Sequence, residues 1–332
     1  MADNNGVLIV GEVEEGQLSP ITAELAGIGR KLADDLGQDL SAALIGSELG
    51  DIPNEVAALG ANKVYTIDNP LFKNYLTDSY VTAMEKLVND VAPEVLLLGH
   101  TPMGRDIAPR LAFRLGTGAT MDCVDLAIDS DSKLLRKTKP VYGGNALAVY
   151  VSQTHPQIAA IRAKTMEPAQ PDSSRSGEVT PFDPGIDESI VRAKFVDKVK
   201  EEVEGIKLED AELVVCGGRG MGSADAFQQL YDLANMFNGA VGATRPPCDS
   251  GWVPDHCQVG LTGKLVSPNL YIGVALSGSS QHQAGMSGSK NIIAINKDPE
   301  ANIFGIAHYG VVGDYKKVLP AFVEKCKELA SK

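Results

Sequence analysis

Apolar runs and amphipathic segments alternate along the first 116 residues of the chain. Residues 6–13 (GVLIVGEV) form a compact, largely apolar run, which is typical of a strand buried on both faces. The next segment carries an apolar stripe at helical spacing, formed by Ile21, Leu25, Ile28, Leu32 and Leu36. Three further pairs of strand and helix follow up to residue 116. This alternation predicts a parallel sheet with right-handed crossovers.

The pattern changes between residues 117 and 162, where strand-like runs are joined by turns. We therefore expect the first domain to end in antiparallel pairing. Residues 168–185 (PAQPDSSRSGEVTPFDPG) are rich in Pro, Ser, Gly and acidic residues, which indicates a linker or a wrapping arm. The first domain is expected to cover residues 1–196, with this segment near its end.

A second alternation of strands and helices starts after residue 197. Residues 197–211 are charged and are expected to be helical, and the run LVVCGGRGMGS at 213–223 leads from a buried strand into glycines. This is the context of a dinucleotide fold, although the G-x-G-x-x-G spacing and the acidic residue that should follow it are missing. We therefore predict an α/β protein of two domains, each with a mostly parallel sheet flanked by helices. The C-terminal domain, over residues 197–332, is expected to be Rossmann-like.

Composition and charge narrow the class of protein. Hydrophobic residues make up 44% and charged residues 22% of the 332 positions, as in soluble globular proteins. The net charge of −13 argues against nucleic acid as a partner, because a phosphate-binding surface needs clustered Lys and Arg. No run approaches ~18 consecutive apolar residues, and the N-terminal residues lack a signal-peptide pattern. A cytoplasmic protein that does not span a membrane is expected.

The spacing of the cysteines does not indicate a disulfide framework. They are odd in number, widely spaced and without a C-x-x-C pair, at Cys123, Cys216, Cys248, Cys257 and Cys326. Free thiols are therefore expected, and neither disulfides nor a metal site are predicted.

Residues 241–296 are the most informative stretch of the chain. They combine glycines, hydroxyl side chains, Arg245 and two histidines between two strand-like apolar runs, and they hold few carboxylates. Backbone amides, hydroxyls and a cation are the groups that bind an anionic cofactor. Glycines additionally let the main chain approach a ligand closely.

The run LYIGVALSGSSQHQAGMSGSKNIIAIN at 270–296 resembles the signature of the electron transfer flavoprotein α-subunit family. The matching positions include Tyr271, Gln281 and His282, and the run AINKDP at 294–299. Ala275 stands where the family usually has Gly, and Leu276 stands where it usually has Ile. The resemblance is strong over residues 213–320 and weaker over the first half of the chain.

This resemblance implies an electron carrier rather than a stand-alone enzyme. Members of the family bind one FAD and pair with an electron transfer flavoprotein β subunit. They shuttle electrons between flavin dehydrogenases, such as acyl-CoA dehydrogenases, and an acceptor such as a quinone oxidoreductase or a ferredoxin. The first domain is expected to contact the β subunit, and the second to hold FAD.

The resemblance also assigns roles around the flavin ring. Arg245 is expected at the ring, where a fixed cation favours the anionic reduced flavin over the neutral oxidised one. The Thr262 hydroxyl is expected to bond flavin N5, and His282 to lie near flavin O2. The ring is expected to be lined by Val259, Gly260, Leu261 and Thr262. Several relatives have Gln where Leu261 stands.

The remaining expected cofactor contacts fall into two groups. Amides and hydroxyls for the ribityl chain and the pyrophosphate are expected from Ser277, Gly278, Ser279, Ser280 and Gln281. Contacts to the adenosine and the phosphates are expected from Arg219, Thr244, Asn296, Asp314 and Tyr315. Helix capping is the alternative role for several of these residues.

Three alternatives stay open at this point. One is the α subunit of a flavin-based electron-bifurcating complex that uses NADH and ferredoxin, which is suggested only by Pro246 and Trp252 in the loop TRPPCDSGW. Another is a non-redox, nucleotide-binding regulatory protein. A nicotinamide-dependent dehydrogenase is disfavoured by the missing fingerprint. The sequence also holds no G-x-S-x-G and no H-E-x-x-H pattern.

Overall fold

The computed structural model divides the chain into two compact units. Unit 1 comprises Met1–Pro140 and Leu147–Lys198, and unit 2 comprises Val141–Ala146 and Val199–Lys332. The short segment Val141–Ala146 thus belongs to unit 2, although in sequence it lies within the first domain. The structure describes residues 4–144, 146–197 and 205–330.

The first half of the chain contributes most of the strands. The first twelve strands are β1 (Val7–Gly11), β2 (Val13–Glu14), β3 (Gln17–Leu18), β4 (Leu40–Gly46), β5 (Lys63–Asp68), β6 (Val95–Gly99), β7 (Ala119–Cys123), β8 (Asp125–Ile128), β9 (Leu135–Val141), β10 (Ala146–Tyr150), β11 (Gln157–Ile161) and β12 (Glu178–Pro181). The first four α-helices are α1 (Pro20–Leu36), α2 (Ile52–Ala58), α3 (Thr77–Val91) and α4 (Pro102–Arg114).

Unit 1 is built on a seven-stranded sheet in the order β12-β5-β4-β1-β6-β11-β7. Its strand pairs are parallel, and β1, β6 and β11 are buried along their whole length. The predicted stripe of α1 packs on this sheet, with Leu25 and Leu32 fully buried. Gly37 ends the helix in the left-handed conformation, with φ 68°. The predicted α/β fold with mostly parallel sheets is confirmed.

The expectation that the first domain ends in antiparallel pairing is wrong for β7 and β11. β11 lies between β6 and β7 in the main sheet and runs parallel to both. All five residues of β11 are buried, which agrees with the apolar run that follows Gln157 in its sequence. β8 and β9 do pair antiparallel, and with β10 they form a separate three-stranded sheet.

The segment 168–185 lies along unit 1. The amide of Ala169 donates to the carbonyl of Ala23, and the amide of Asp172 donates to that of Ala58. Its strand β12 then adds to the edge of the main sheet by pairing in parallel with β5. Backbone hydrogen bonds therefore hold much of this Pro- and Ser-rich segment against the unit.

Unit 2 is built on a single five-stranded parallel sheet in the order β14-β13-β15-β16-β17. Its strands are β13 (Leu213–Gly217), β14 (Ala240–Ala243), β15 (Leu270–Val274), β16 (Asn291–Asn296) and β17 (Tyr309–Val312). Its α-helices, within the described residues, are α5 (Gln228–Met236), α6 (Arg245–Asp249), α7 (Ser280–Ala284) and α8 (Tyr315–Ala330).

The helix expected over residues 197–211 falls partly outside the described residues. Residues 198–204 lie outside the described part of the chain, and residues 205–210 form bends and turns instead of a helix. Among the described residues, no helix is both long and apolar enough to cross a membrane.

Glu12 follows β1 at the carboxyl edge of the sheet in unit 1. Its Oε1 accepts a hydrogen bond of 2.7 Å from Thr101 Oγ1. Burial raises the pKa of the Glu12 carboxyl from its ordinary 4.5 to about 7, against a smaller opposing effect of the Thr101 bond. The folded protein therefore retains a proton on Glu12 at a pH where the unfolded chain has lost it.

We expect Glu12→Gln to remove this pH dependence. The contribution of the protonated carboxyl is complete below pH 4.5 and is lost as the pH rises through 7, up to about 3 kcal/mol. Urea unfolding at pH 5 and pH 8 should show that the free energy of unfolding of the variant rises relative to that of the wild type at the higher pH. Glu55→Gln, on the exposed face of α2, controls for the change in net charge. Parallel pH profiles for Glu12→Gln and wild type would contradict this reading.

Candidate functional site

A cavity of about 650 Å³ lies within unit 2, at the carboxyl ends of its parallel strands. Residues in the turns after β13, β14 and β15, and Asn296 at the end of β16, contribute to its wall. The chain leaves β13 toward β14 on one side and returns to β15 on the other, so the sheet has its topological switch point here. Open α/β sheets bind their ligands at this position.

Twelve of the sixteen predicted cofactor residues line this cavity. They are Arg219, Thr244, Arg245, Val259, Gly260, Leu261, Thr262, Ser277, Ser279, Gln281, His282 and Asn296. They come from five separate stretches of the chain, and the parallel sheet brings these stretches to one edge.

The other four predicted residues are placed next to the cavity wall or behind it. Gly278 has a φ of 75°, and a Cβ at this position would come within 2.5 Å of the Ile303 amide nitrogen. Ser280 is exposed at the start of α7. The Asp314 carboxylate caps α8 by accepting from Lys316 N, and the buried Tyr315 hydroxyl donates to Met221 O at 2.7 Å. These contacts hold the protein's own backbone.

Several lining residues were not predicted from the sequence. They are Gly220, Pro246, Gln258, Ala275, Leu276, Asp298 and Ala301. A signal was available for three of them, because Ala275, Leu276 and Asp298 lie inside the quoted signature or the AINKDP run. The others are neighbours of predicted residues or, like Ala301, belong to a loop without a sequence motif.

Arg245 is the first residue of α6 and follows the cap residue Thr244. Its guanidinium Nε lies 3.2 Å from Asp249 Oδ2, one helical turn along, and its side chain is 67% exposed. An exposed pair of this kind contributes little to stability. The cation is therefore free to serve a ligand, but the carboxylate beside it offsets part of its field.

Residues 258–264 form a short loop that is tied down from two sides. The amide of Val259 donates to Ala243 O, and the amide of Leu261 donates to Gln281 O. Gln258 Nε2 donates to Thr262 Oγ1 at 3.0 Å, so the hydroxyl proton of Thr262 remains available for another acceptor. The loop thus presents a hydroxyl donor to the cavity.

His282 is buried in the cavity wall, with an exposed fraction of 4%. Its Nε2 lies 2.7 Å from the Tyr271 hydroxyl, and its Nδ1 lies 3.0 Å from Val259 O. Burial lowers the pKa of the imidazole to about 4, against a smaller opposing effect of the Val259 bond. Both ring nitrogens are bonded to the protein, and the role of His282 near flavin O2 stays a prediction.

Asn296 also lines the cavity. Its Nδ2 donates to Leu276 O at 2.7 Å, and its Oδ1 accepts from Asp298 N at 3.0 Å. Asn296 therefore connects the end of β16 to the turn after β15 and to the AINKDP run. Its amide stabilises the loops that surround the cavity.

The wall can bind an anionic, polar ligand. Its charged members are Arg219, Arg245 and Asp298, and its other polar groups are hydroxyls, amides and backbone N–H groups. A volume of about 650 Å³ falls within the range of small-molecule sites. The cavity fits FAD in size and in the chemistry of its donors. Arg219 and Arg245 would meet its anionic groups, and Thr262 could donate to a ring nitrogen.

The architecture and the cavity define an α/β protein with a site for an anionic, polar ligand. Residues 7–186 match the electron transfer flavoprotein domain, and residues 207–287 match the electron transfer flavoprotein FAD-binding domain. The chain is 43% identical over 330 residues to the electron transfer flavoprotein subunit alpha of Thermoanaerobacterium thermosaccharolyticum, covering 99% of this chain and 100% of that protein.

Two further relatives agree with this match. The electron transfer flavoprotein subunit alpha of Megasphaera elsdenii is 40% identical over 331 residues, covering 99% of this chain and 98% of that protein. Protein FixB of Azotobacter vinelandii is 40% identical over 328 residues, covering 95% of this chain and 89% of that protein. The chain belongs to the electron transfer flavoprotein α-subunit family, and its cofactor is FAD.

The loop at 258–264 and the helix α7 meet through two glycines. A Cβ on Gly285 would lie 2.4 Å from Gly260 Cα and 2.5 Å from Gly260 N. Since a real Cβ does not approach backbone this closely, any side chain at Gly285 must displace the loop. The loop carries Val259, Leu261 and Thr262 of the cavity wall.

We expect Gly285→Ala to weaken FAD binding by about five- to 150-fold, because overpacking of about 1–3 kcal/mol falls directly on this loop. The measurement is the dissociation constant of FAD from quenching of flavin fluorescence. Gly305→Ala is the control, because a Cβ at Gly305 meets no atom within 4 Å. Equal affinities for the two variants would show that the loop does not contact the cofactor.

Proposed function

We propose that this chain carries the FAD of an αβ electron-transfer heterodimer. It would accept electrons from a flavin dehydrogenase, such as an acyl-CoA dehydrogenase, and pass them to a quinone oxidoreductase or a ferredoxin. When bound, FAD supplies the redox chemistry through its isoalloxazine ring. The protein contributes binding, orientation and the charge around the ring.

The observation that carries this proposal is the chemistry of the cavity wall. The wall offers donors and two guanidinium groups for an anionic cofactor. The imidazole of His282 is neutral, and both of its nitrogens are engaged by Tyr271 and Val259. It is therefore not poised as a general base. A wall of this kind suits a bound redox group better than proton-transfer catalysis on a substrate.

The test is to purify the full chain together with the β subunit and follow the flavin. We expect absorbance near ~450 nm and FAD as the released cofactor. An acyl-CoA dehydrogenase with its substrate should then bleach the flavin without oxygen. A colourless protein that takes up no FAD, or a flavin that no dehydrogenase reduces, would overturn the proposal.

The same preparation separates simple transfer from bifurcation. In the structure the Trp252 ring packs near Phe227, with ring centroids 6.5 Å apart, and Trp252 does not line the cavity. Only Pro246 of that loop's distinctive residues reaches the wall. The loop therefore gives no physical support for bifurcation. Reduction of the flavin by NADH, with ferredoxin reduced in the same reaction, would nevertheless establish it.

Arg245 and Asp249 should shift the midpoint potential of bound FAD in opposite directions. The cation should stabilise the reduced flavin, and the Asp249 carboxylate should oppose it. We expect Arg245→Ala to lower the midpoint potential of bound FAD and Asp249→Asn to raise it. Because both side chains are exposed to solvent, each change should shift the potential by about 1 kcal/mol, or roughly 40 mV for one electron.

The potentials can be read from a dithionite titration with a reference dye. Arg245→Lys keeps the charge and loses the planar fork, so it should fall between Arg245→Ala and the wild type. If the Ala and Asn variants both keep the wild-type potential, Arg245 does not lie near the flavin ring.

An exposed apolar surface in unit 1 suits the β subunit. It is formed by β10 and the residue after it, where Leu147 is 65%, Val149 52%, Tyr150 47% and Val151 56% exposed. We call these four residues the β10 surface. Strand β10 is also the edge of its three-stranded sheet, so its backbone groups are open to pairing. Apolar residues of this kind on an edge strand mark a protein interface.

We expect Val149→Asp to weaken the heterodimer by at least tenfold, because a charge would be buried at the interface. The measurement is the amount of β subunit that co-purifies with tagged α chain, followed by sedimentation. Phe113→Asp is the matched control, since Phe113 is 86% exposed on α4, outside this surface. Equal loss in both variants would assign the effect to solubility rather than to the β10 surface.

A further inference from the structure

Tyr271 is the second residue of β15, and its side chain is completely buried. It does not line the cavity, but its hydroxyl lies 2.7 Å from His282 Nε2. His282 does line the cavity, and its other nitrogen lies 3.0 Å from Val259 O. Three buried groups therefore form one line from the sheet, through the imidazole, to the loop at 258–264.

The direction of each hydrogen bond follows from the groups involved. The carbonyl oxygen of Val259 can only accept, so Nδ1 of His282 must carry the proton. The neutral ring then has a lone pair on Nε2, and this lone pair accepts from the Tyr271 hydroxyl. The tautomer of His282 is thus fixed by its two partners.

A second path links the same elements. The amide of Leu261 donates to Gln281 O, directly before His282 in the chain. The loop is therefore attached to α7 through one backbone bond and through the His282 ring. Of these two attachments, the ring bond is the one that continues to Tyr271 in β15. Loss of the Tyr271 hydroxyl would leave the ring free to tilt and would loosen one of the two attachments.

We propose that Tyr271 is a positioning residue for the FAD site, which holds His282 as the neutral Nδ1–H tautomer and through it fixes Val259 and the cavity loop. The inference rests on FAD occupying this cavity. Tyr271 does not line the cavity, so it would act only through His282.

A consequence concerns the charge at the cavity. Tyr271 contacts His282 from the side of the sheet, and the Cys216 thiol in turn interacts with the Tyr271 hydroxyl. Both Tyr271 and Cys216 are kept neutral because burial raises their pKa values. Arg219, Arg245 and Asp298 share the cavity with His282. With the His282 pKa near 4, the ring adds no positive charge between pH 5 and 8. The arginines then supply the positive charge in this wall.

The test starts with the FAD-free chain, so that its outcome does not depend on the cofactor. Nitrogen-15 NMR of the histidines, with His282 assigned from His282→Asn, should show the Nδ1–H tautomer unchanged between pH 5 and 8. In Tyr271→Phe the nitrogen-15 chemical shift of His282 Nε2 should move toward the value of an unprotonated nitrogen that accepts no hydrogen bond. The pKa of His282 should rise by about one pH unit, because the neutral ring loses a buried hydrogen bond. A ring that titrates near pH 6.5 in the wild type, or carries its proton on Nε2, would overturn the proposal without any variant.

FAD affinity supplies the second readout. Tyr271→Phe should weaken FAD binding about three- to tenfold, the range expected for one buried hydrogen bond. In the His282→Asn background the same change should have little further effect, because its partner is gone. Additive losses would show that Tyr271 acts by general stability alone and would sink the proposal.

Tyr80→Phe is the matched control. It removes a buried tyrosine hydroxyl bonded to Phe72 O at 3.1 Å, in unit 1. It should leave both the His282 spectrum and FAD affinity unchanged. If the His282 spectra of the wild type and of Tyr271→Phe are as expected but even the wild type takes up no FAD, the result counts against the proposed function and leaves the tautomer assignment standing. Unchanged His282 spectra in Tyr271→Phe would overturn the proposal.

Discussion

The parallel pairing of β13 with β15 is the constraint on which the site depends. The ladder between these strands continues past their ends, where Gly218 N donates to Val274 O and Gly220 N donates to Ala275 O. These bonds keep two glycine-containing turns side by side at the switch point of the sheet. Arg219 and Ser277 enter the cavity wall because their turns are held this way. The neighbouring strands repeat the arrangement, since Thr244 N donates to Gly217 O and Ala275 N donates to Ile295 O.

Ala275 shows what such close pairing demands of a residue. It adopts a φ of 53°, in the left-handed region, at the point where the chain leaves β15. Glycine adopts this conformation without cost, and an L-residue pays roughly 1–2 kcal/mol. The family usually has glycine at this position, and the geometry gives the physical reason. The chain tolerates the methyl group because Gly220, opposite it, has no side chain; a Cβ there would lie 3.0 Å from Ala275 Cβ.

The sequence predicted the fold correctly where the hydrophobic pattern of a short segment determines its structure. The stripe on α1 and the apolar runs of β1, β6 and β13 predicted a parallel α/β fold, because buried parallel strands carry no polar alternation. The twelve predicted residues around the cavity were also accessible, since parallel strands bring their carboxyl ends to one edge. The position of β11 was not accessible, because a short apolar run does not encode which neighbour it pairs with.

Side-chain partners were equally hidden from the sequence. Tyr271 and His282 lie eleven positions apart, and nothing in their spacing shows that a strand and a short helix aim them at each other. Arg245 lines the cavity, and nothing in the sequence pattern shows that it also contacts Asp249 one helical turn along. Asp314 follows an apolar run, and the sequence does not show that its carboxylate caps α8 or that the Tyr315 hydroxyl donates to Met221 O. Their contacts to the cofactor stay a prediction.

The electrostatics of the wall follow from how these groups are distributed. The ionisable side chain buried most deeply in it, His282, is neutral, whereas the charged Arg219 and Arg245 lie at exposed positions. Burying a lone cation would cost several kcal/mol, so a protein that must favour an anionic cofactor does better with arginines at the solvent side. Each exposed cation is weaker because solvent screens it, and Asp249 weakens Arg245 further. A site of this kind holds its cofactor through many small interactions, and its charge can be adjusted at the surface without disturbing the buried line from Tyr271 to the loop.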